Sequence, residues 1–255
     1  MKTVRSLIQV QHLTARYGKR TVLDNISFEI NDGEIFVILG GSGCGKSTLL
    51  RHMIGLDNPF RGQVKIDGID ITTCNDKEFQ VTLRKIGVLF QSSALFGSMT
   101  VAENVGLPLA EFSRLSPDAI SHLVRMKLHM VGLDGFQNFL PSELSGGMKK
   151  RAGLARALAL NPKILFLDEP SAGLDPVTSA EIDELILNIN AIIGTTIIIV
   201  THELDSIFKL AQRVIMLDKE TRGIIAEGDP NELKKHSQLP AVKRFFNRQG
   251  SANIS

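Results

Sequence analysis

The chain lacks any apolar stretch long enough to cross a bilayer. Its longest runs, Ile35-Phe36-Val37-Ile38-Leu39 and Ile197-Ile198-Ile199-Val200, are of strand length, far short of the ~20 residues a membrane helix needs. The opening Met1-Lys2-Thr3-Val4-Arg5-Ser6 has no apolar region behind its charges, which argues against a secretory signal. There are only two cysteines, Cys44 and Cys74, so a disulfide framework is excluded and a reduced, cytosolic setting is expected. Charge of one sign is scarce as well: 29 Lys and Arg against 27 Asp and Glu leave +2, too little to indicate a nucleic-acid partner. Any contact with a membrane is therefore expected through a partner. What is present, 255 residues of which 43% are hydrophobic and 22% charged, suits a packed globular chain.

The two apolar runs, with Ile164-Leu165-Phe166-Leu167, read as strands buried on both faces, the pattern of a parallel sheet covered by helices. Residues 86–90 offer a fourth. Elsewhere the first 75 residues read as short strands. Ile26, Phe28 and Ile30 alternate with polar neighbours up to the turn Asn31-Asp32-Gly33. Val64 and Ile66, then Asp67-Gly68, then Ile69 and Ile71 predict a hairpin, because Asp-Gly supplies the left-handed backbone of a two-residue turn. Between 92 and 160 the period becomes helical. Ser116 and Pro117 open a helix whose Ile120, Leu123, Val124, Leu128 and Val131 recur at three- and four-residue steps up to Gly132. Thr100 and Glu103 match a capping box. Asp229-Pro230 opens a C-terminal helical stretch, expected to form one final helix over 231–248 that covers the core; the alternative is a docking surface for a second copy or a small accessory subunit, anchored by Phe245 and Phe246. Residues 247–255 are expected to be a flexible tail.

Four motifs carry chemistry. Gly40-Gly41-Ser42-Gly43-Cys44-Gly45-Lys46-Ser47-Thr48 fits the phosphate-binding loop G-x-x-x-x-G-K-[ST], with an apolar strand before it and a helical run after it. Its glycines let backbone N–H groups turn inward around a polyphosphate. Lys46 is expected along the β- and γ-phosphates, and the Ser47 hydroxyl on Mg²⁺. Cys44 reads as a small filler. Asp168 and Glu169 end the second buried strand; ligands of open α/β sheets sit beyond such strand ends. Asp168 is placed to hold Mg²⁺ and Glu169 to polarise a water. His202 follows the third buried strand and can hydrogen-bond a γ-phosphate. His12, His52, His122, His129 and His236 have no motif around them and read as structural or surface residues. Finally, Leu144-Ser145-Gly146-Gly147-Met148 opens a helix expected to run to Leu160. Ser145 can cap it, and the glycines bare the backbone of a second anion-binding helix start.

With all four in order, the chain strongly resembles the ATP-binding-cassette (ABC) ATPases over residues 8–246. Their LSGGQ signature reads here as Leu144 to Met148, with Met in the last place. The resemblance implies an α/β P-loop NTPase fold. It would have a RecA-like parallel-sheet core, an N-terminal antiparallel β subdomain and an inserted α-helical subdomain at about 92–160. It assigns Tyr17, the only tyrosine, to stacking on adenine. It gives Gln91 the role of sensing Mg²⁺ and linking to a transmembrane partner, and His202 the role of the switch histidine. Ser171-Ala172-Gly173-Leu174-Asp175 matches the D-loop. ATP and Mg²⁺ are the implied ligands. Implied too is a head-to-tail dimer in which Ser145, Gly146, Gly147 and Asp175 of one copy serve the nucleotide of the other. Such an ATPase docks on separate transmembrane permease subunits. A narrower resemblance rests on Phe90-Gln91-Ser92-Ser93-Ala94-Leu95-Phe96, on 99–109 and on the Met148-Lys149-Lys150-Arg151 run. These look like the ATPases of Mla-type phospholipid transporters that work with MCE-domain proteins and a small accessory subunit, at the cytoplasmic face of the inner membrane.

Other functions fit less well. Soluble ABC ATPases of DNA repair or translation usually carry two cassettes, a coiled coil or a zinc module, none of which is in this sequence. A P-loop kinase has no use for the signature segment. Within transport, an importer of amino acids or osmolytes is the alternative.

Overall fold

The computed structural model describes residues 5–247. The chain forms two compact units, residues 1–78 with 198–255, and residues 79–197.

In the first unit, β1 (Ser6–Tyr17), β2 (Arg20–Asn31), β4 (Arg61–Ile66) and β5 (Ile69–Asp70) form an antiparallel sheet in the order β2-β1-β4-β5. Alternation drives it: Ile8 and Val10, Ile26, Phe28 and Ile30, and Val64 and Ile66 are all buried. β1 and β2 are longer than the short strands expected, at 12 residues each. They stay paired over that length by bending, with His12 and Asn25 both at φ 51 and the register shifting between Val10 and Leu13. The expected hairpin is present, Asp67 and Gly68 both having positive φ. It closes quickly because the Asp70 carboxylate accepts the Thr72 N–H at 3.0 Å, turning the chain out of the ladder.

The same unit holds β3 (Ile35–Gly40), every residue of which is buried. It pairs in parallel with β9 (Arg213–Leu217), which pairs antiparallel with β10 (Ile224–Gly228). β8 (Thr196–Val200), whose last three residues belong to this unit, lies on the other side of β3. Arg213 ties these strands together, with its guanidinium bonded to Glu34 at 2.8 Å and to Glu227 while it lies 4.9 Å over the Phe36 ring. The helices are α1 (Lys46–Met53), α7 (Leu204–Leu210), α8 (Pro230–His236) and α9 (Pro240–Phe246). The single C-terminal helix expected over 231–248 is thus two. Ser237 and Leu239 are extended, and Pro240, which disfavours helix in the residue before it, starts the second. α9 covers the core with Val242 and Phe246, the latter ring 5.6 Å from Phe208. Of the expected tail, Asn247 is the C-cap of α9 and 248–255 lie outside the described residues.

The second unit contains β6 (Ile86–Leu89) paired in parallel with β7 (Ile164–Asp168). Around them run most of α2 (Asp76–Leu83), α3 (Val101–Phe112), α4 (Pro117–Met130), a 3₁₀ turn at Pro141–Glu143, α5 (Gly146–Ala157) and α6 (Pro176–Ile193). The predicted start signals are realised. Thr100 and Glu103 form a reciprocal capping box, and the Ser116 hydroxyl accepts the Ala119 N–H. Gly132 (φ 71) ends the turn after α4. α5 ends at Ala157 and does not reach Leu160 as expected; Asn161 takes φ 50 ahead of Pro162, which stops the helix. α6 starts at Asp175-Pro176, the same cap-plus-proline signal as Ser116-Pro117. α5 lies unusually close to β6. A Cβ on Gly87 would overlap the Ala157 carbonyl oxygen, and one on Gly153 would sit 2.7 Å from Leu89 Cδ1. At 87, where the obstacle is main chain, only glycine allows this approach.

Candidate nucleotide site

In the first unit the buried strand β3 delivers the chain to Gly40, whose φ is 146 and whose Cβ would overlap the Leu217 carbonyl. Gly43 (φ 73) and Gly45 (φ 104) are left-handed. These conformations let the 40–45 backbone fold back ahead of α1. The start of α1 receives no help from the chain: its N-cap, Gly45, makes no side-chain cap, and no acidic residue stands in its first turn. A helix start left that way is an anion site. Lys46 adds a cation beside it, its Nζ donating to the carbonyls of Gly40 at 2.9 Å and Gly41 at 3.2 Å. Gly41, Ser42, Gly43 and Ser47 are exposed, and Thr48 is half-buried. Cys44 is buried under the loop, where desolvation pushes its thiol pKa up; it packs as a filler. This donor set fits a nucleotide polyphosphate. Among the described residues no group of three or more His, Cys, Asp or Glu could hold a metal by itself. A Mg²⁺ carried on phosphate oxygens needs only one or two protein oxygens, such as Ser47 Oγ.

Tyr17 is exposed at the end of β1 and is tied to the helix after the loop. Its hydroxyl donates to Asp57 Oδ2 at 3.3 Å, and Asp57 accepts a bidentate pair from Arg51 of α1 at 2.8 and 3.1 Å. The Arg51 hydrogen bond holds the Asp57 carboxyl below its ordinary range. His202 lies exposed just after β8, with Nε2 3.5 Å from Glu203 Oε1.

In the second unit, β6 leads to Gln91, which is exposed, and β7 ends in Asp168 and the buried Glu169. Glu169 has φ 49, a conformation that costs a non-glycine residue of order 1 kcal/mol or more. Gln91 and Glu169 meet on a residue that the sequence reading did not single out. Lys150 of α5 is buried and donates to the Gln91 carbonyl at 2.6 Å and to the Glu169 carbonyl at 2.8 Å. Desolvation lowers the Lys150 pKa, while the charges of Asp168 and Glu169 oppose that shift. Two residues beyond Gln91, Ser93 (φ 61) and Ala94 (φ 47) are both left-handed, and the Arg156 guanidinium takes both their carbonyls at 2.8 Å. A signal for Lys150 existed: with Gly153 and Ala157 it stands at i, i+3 and i+7, one helix face otherwise made of small residues.

The signature segment starts α5. The Ser145 hydroxyl accepts the Met148 N–H at 3.3 Å, so the cap forms as expected. Ser145 and Gly146 are exposed. A Cβ on Gly147 would lie 2.5 Å from Thr178 Cγ2, and Thr178 donates to Asp175 at 2.6 Å. Asp175 therefore sits beside the signature segment, where its carboxylate caps α6 through the Val177 and Thr178 N–H groups.

The ABC transporter family profile matches residues 23–172. Over 240 residues, 94% of the chain, the sequence is 43% identical to the probable ribonucleotide transport ATP-binding protein mkl of Mycobacterium leprae, covering 68% of that protein. It is 40% identical over 243 residues to the methionine import ATP-binding protein MetN of Geobacillus kaustophilus, covering 70% of it. It is 37% identical over 239 residues to the intermembrane phospholipid transport ATP-binding protein MlaF of Haemophilus influenzae, covering 90% of it. Among solved structures, the dimeric post-hydrolysis state of the ATP-binding cassette MJ0796 with ADP and Pi superposes at a TM-score of 0.79. That match has 34% identity and covers 87% of this chain and 98% of that one.

Proposed function

This chain belongs to the ABC transporter family of ATP-binding, ATP-hydrolysing subunits, and from that premise we propose that it powers phospholipid movement between two membranes. The observation behind the ATPase core is the uncapped start of α1 with Lys46 across its loop. In this reading Lys46 and the 41–45 backbone bind the β- and γ-phosphates. Tyr17 stacks on the adenine, and Gly40, Cys44 and Thr48 shape the loop. Ser47, Asp168 and Gln91 serve Mg²⁺, which when bound offsets phosphate charge. The Glu169 carboxylate accepts a proton from the attacking water as ADP leaves. His202 donates to the γ-phosphate. Ser145, Gly146, Gly147 and Asp175 serve the nucleotide of a second copy, a reading supported by the dimeric cassette bound to ADP and Pi.

No helix among the described residues is long and apolar enough to cross a membrane. Docking on a permease at the inner face of the membrane is the corresponding role. A cleft of about 210 Å³ in the second unit suits it, lined by Leu83, Arg84, Pro108, Phe112 and Arg156. A permease segment seated there touches the side chain that clamps Ser93 and Ala94. The phospholipid cargo, with an MCE-domain protein and a small accessory subunit as partners, draws on the similarity to MlaF and on the segments around Gln91 and Met148. Import of an amino acid is the second reading, favoured by the 40% identity to MetN.

The test is ATPase rate in nanodiscs that hold the assembled transporter, against phospholipid content and a panel of amino acids. Response to phospholipid is expected. Stimulation by an amino acid with its binding protein, and indifference to lipid, would leave the importer reading standing. The roles at the site are tested by Glu169→Gln, expected to lose about 10²-fold or more in turnover while still binding ATP. Lys46→Ala is expected to lose tight ATP binding.

A further inference from the structure

Two segments given different roles above, the one at Gln91 and the one at Glu169, meet on a single buried side chain. We propose that Lys150 is a positioning residue for hydrolysis, holding the backbone of Glu169 and that of Gln91 in one register through its two carbonyl hydrogen bonds. This rests on the roles proposed for Glu169 and Gln91.

The argument begins with packing. Gly87 and Gly153 let α5 settle directly on β6, with Ala157 against Gly87 and Gly153 against Leu89 and Ser93. One turn earlier on the same face, Lys150 arrives just where β6 has given way to Gln91. The ammonium there donates to two main-chain carbonyls, at 2.6 and 2.8 Å. A buried ammonium is costly unless its donors are used. A residue that contributed only packing at this depth would be better served by an apolar side chain. The geometry has consequences at both ends. Glu169 sits in a left-handed conformation that its surroundings must enforce, and the bond to its own carbonyl is one means of enforcing it. At the other end, the segment after Gln91 is held by Arg156 from the same helix. A displacement of the Gln91 backbone therefore pulls on the ammonium that orients Glu169. Because α5 also begins with Ser145-Gly146-Gly147, the helix that presents the signature segment is the one that carries this link.

The test compares Lys150→Arg, Lys150→Gln and Lys150→Met in the full-length protein, with Glu169→Gln as a control. Nucleotide affinity, kcat, KM and thermal midpoint are measured for each. Removing the donor (Met), or neutralising it and drawing it back by one bond length (Gln), lets the base shift, and misplacement by about 1 Å costs on the order of 10²-fold in rate. Lys150→Met and Lys150→Gln are expected to lose roughly tenfold to a hundredfold in kcat with nucleotide affinity and KM within about threefold of the parent. Lys150→Arg, which keeps charge and donors, is expected to recover most of that loss. If Lys150→Met does not fold, the Gln and Arg variants carry the comparison. Parental kcat in Lys150→Gln overturns the inference. So does a fall of kcat in step with nucleotide affinity and thermal midpoint, which marks general packing. If Glu169→Gln keeps parental turnover, it is the assignment of Glu169 that fails; parental turnover in the Lys150 variants beside an inactive Glu169→Gln rejects the positioning role alone.

Discussion

Adding one methyl group to Gly87 should unseat α5 from β6. The new Cβ would overlap the Ala157 carbonyl oxygen and lie 3.0 Å from both the Ala157 carbonyl carbon and Pro162 Cγ. Carbon atoms rest about 3.5–4.0 Å apart, so helix and strand must separate by at least ~0.5 Å. The nearest atoms are main chain, and no rotamer change relieves them. Overpacking of this kind costs about 1–3 kcal/mol, and a rigid neighbour puts Gly87→Ala near ~3 kcal/mol. In a chain of this size each kcal/mol lowers Tm by roughly 2–4 °C, which gives a fall of about 6–12 °C. Gly153→Ala, on the facing side, is the internal control. Its Cβ would meet Leu89 Cδ1 at 2.7 Å, the tip of a flexible side chain, and Ser93 Cβ at 3.3 Å. Replacing a mid-helix glycine by alanine also contributes about 1 kcal/mol of helix propensity. The two effects offset, and Gly153→Ala should melt within a few degrees of the parent. Scanning calorimetry of the two variants, read beside turnover, decides the matter. A Gly87→Ala protein that melts within about 2 °C of the parent, or a Gly153→Ala protein that loses more than Gly87→Ala, refutes the close-packing argument.

Phe246→Ala removes a ring that is 3% exposed and packed on Phe208; a loss of ~3–5 kcal/mol is expected in denaturant unfolding. Unchanged stability together with failed complex assembly would instead mark α9 as a docking surface. Gly146→Trp should block hydrolysis and leave nucleotide affinity intact, and mixing it with Lys46→Ala should restore part of the turnover, because one composite site then carries both lesions. Loss of affinity in Gly146→Trp alone would put this segment in its own copy's pocket. The Asp57 carboxyl is held low by the Arg51 hydrogen bond. Its contribution is present above the ordinary carboxylate pKa and is lost as pH falls through the depressed value. Acid unfolding of Asp57→Asn should therefore be less steep than that of the parent, with a small amplitude because the pair is solvent-screened. Superimposable acid profiles would remove Asp57 from that balance.

Local signals were legible because their physics is local. A glycine-spaced loop between an apolar strand and a helix, a capping box at Thr100 and Glu103, an Asp-Gly turn and Ser145 before two glycines each act within a few residues. The chain therefore announces them in order. Element lengths were not legible in the same way. β1 and β2 run on through bulges, α5 stops ahead of Asn161-Pro162, and the C-terminal helix breaks at Pro240. In each case a backbone conformation at one residue overrode the hydrophobic period. What the tertiary structure alone decided are contacts between residues far apart in the chain. Lys150 reaches Gln91 across 59 positions and Arg156 reaches Ala94 across 62. Tyr17 reaches Asp57 across 40. These side chains are ordinary helix or strand residues by local measure, and nothing in their own neighbourhood says which carbonyl or carboxylate they will meet. For Lys150 and Arg156 that depends on how closely α5 settles on β6, and the approach is set above all by the absence of a Cβ at Gly87. Depth of packing is a property of two surfaces at once, so one stretch of sequence cannot state it.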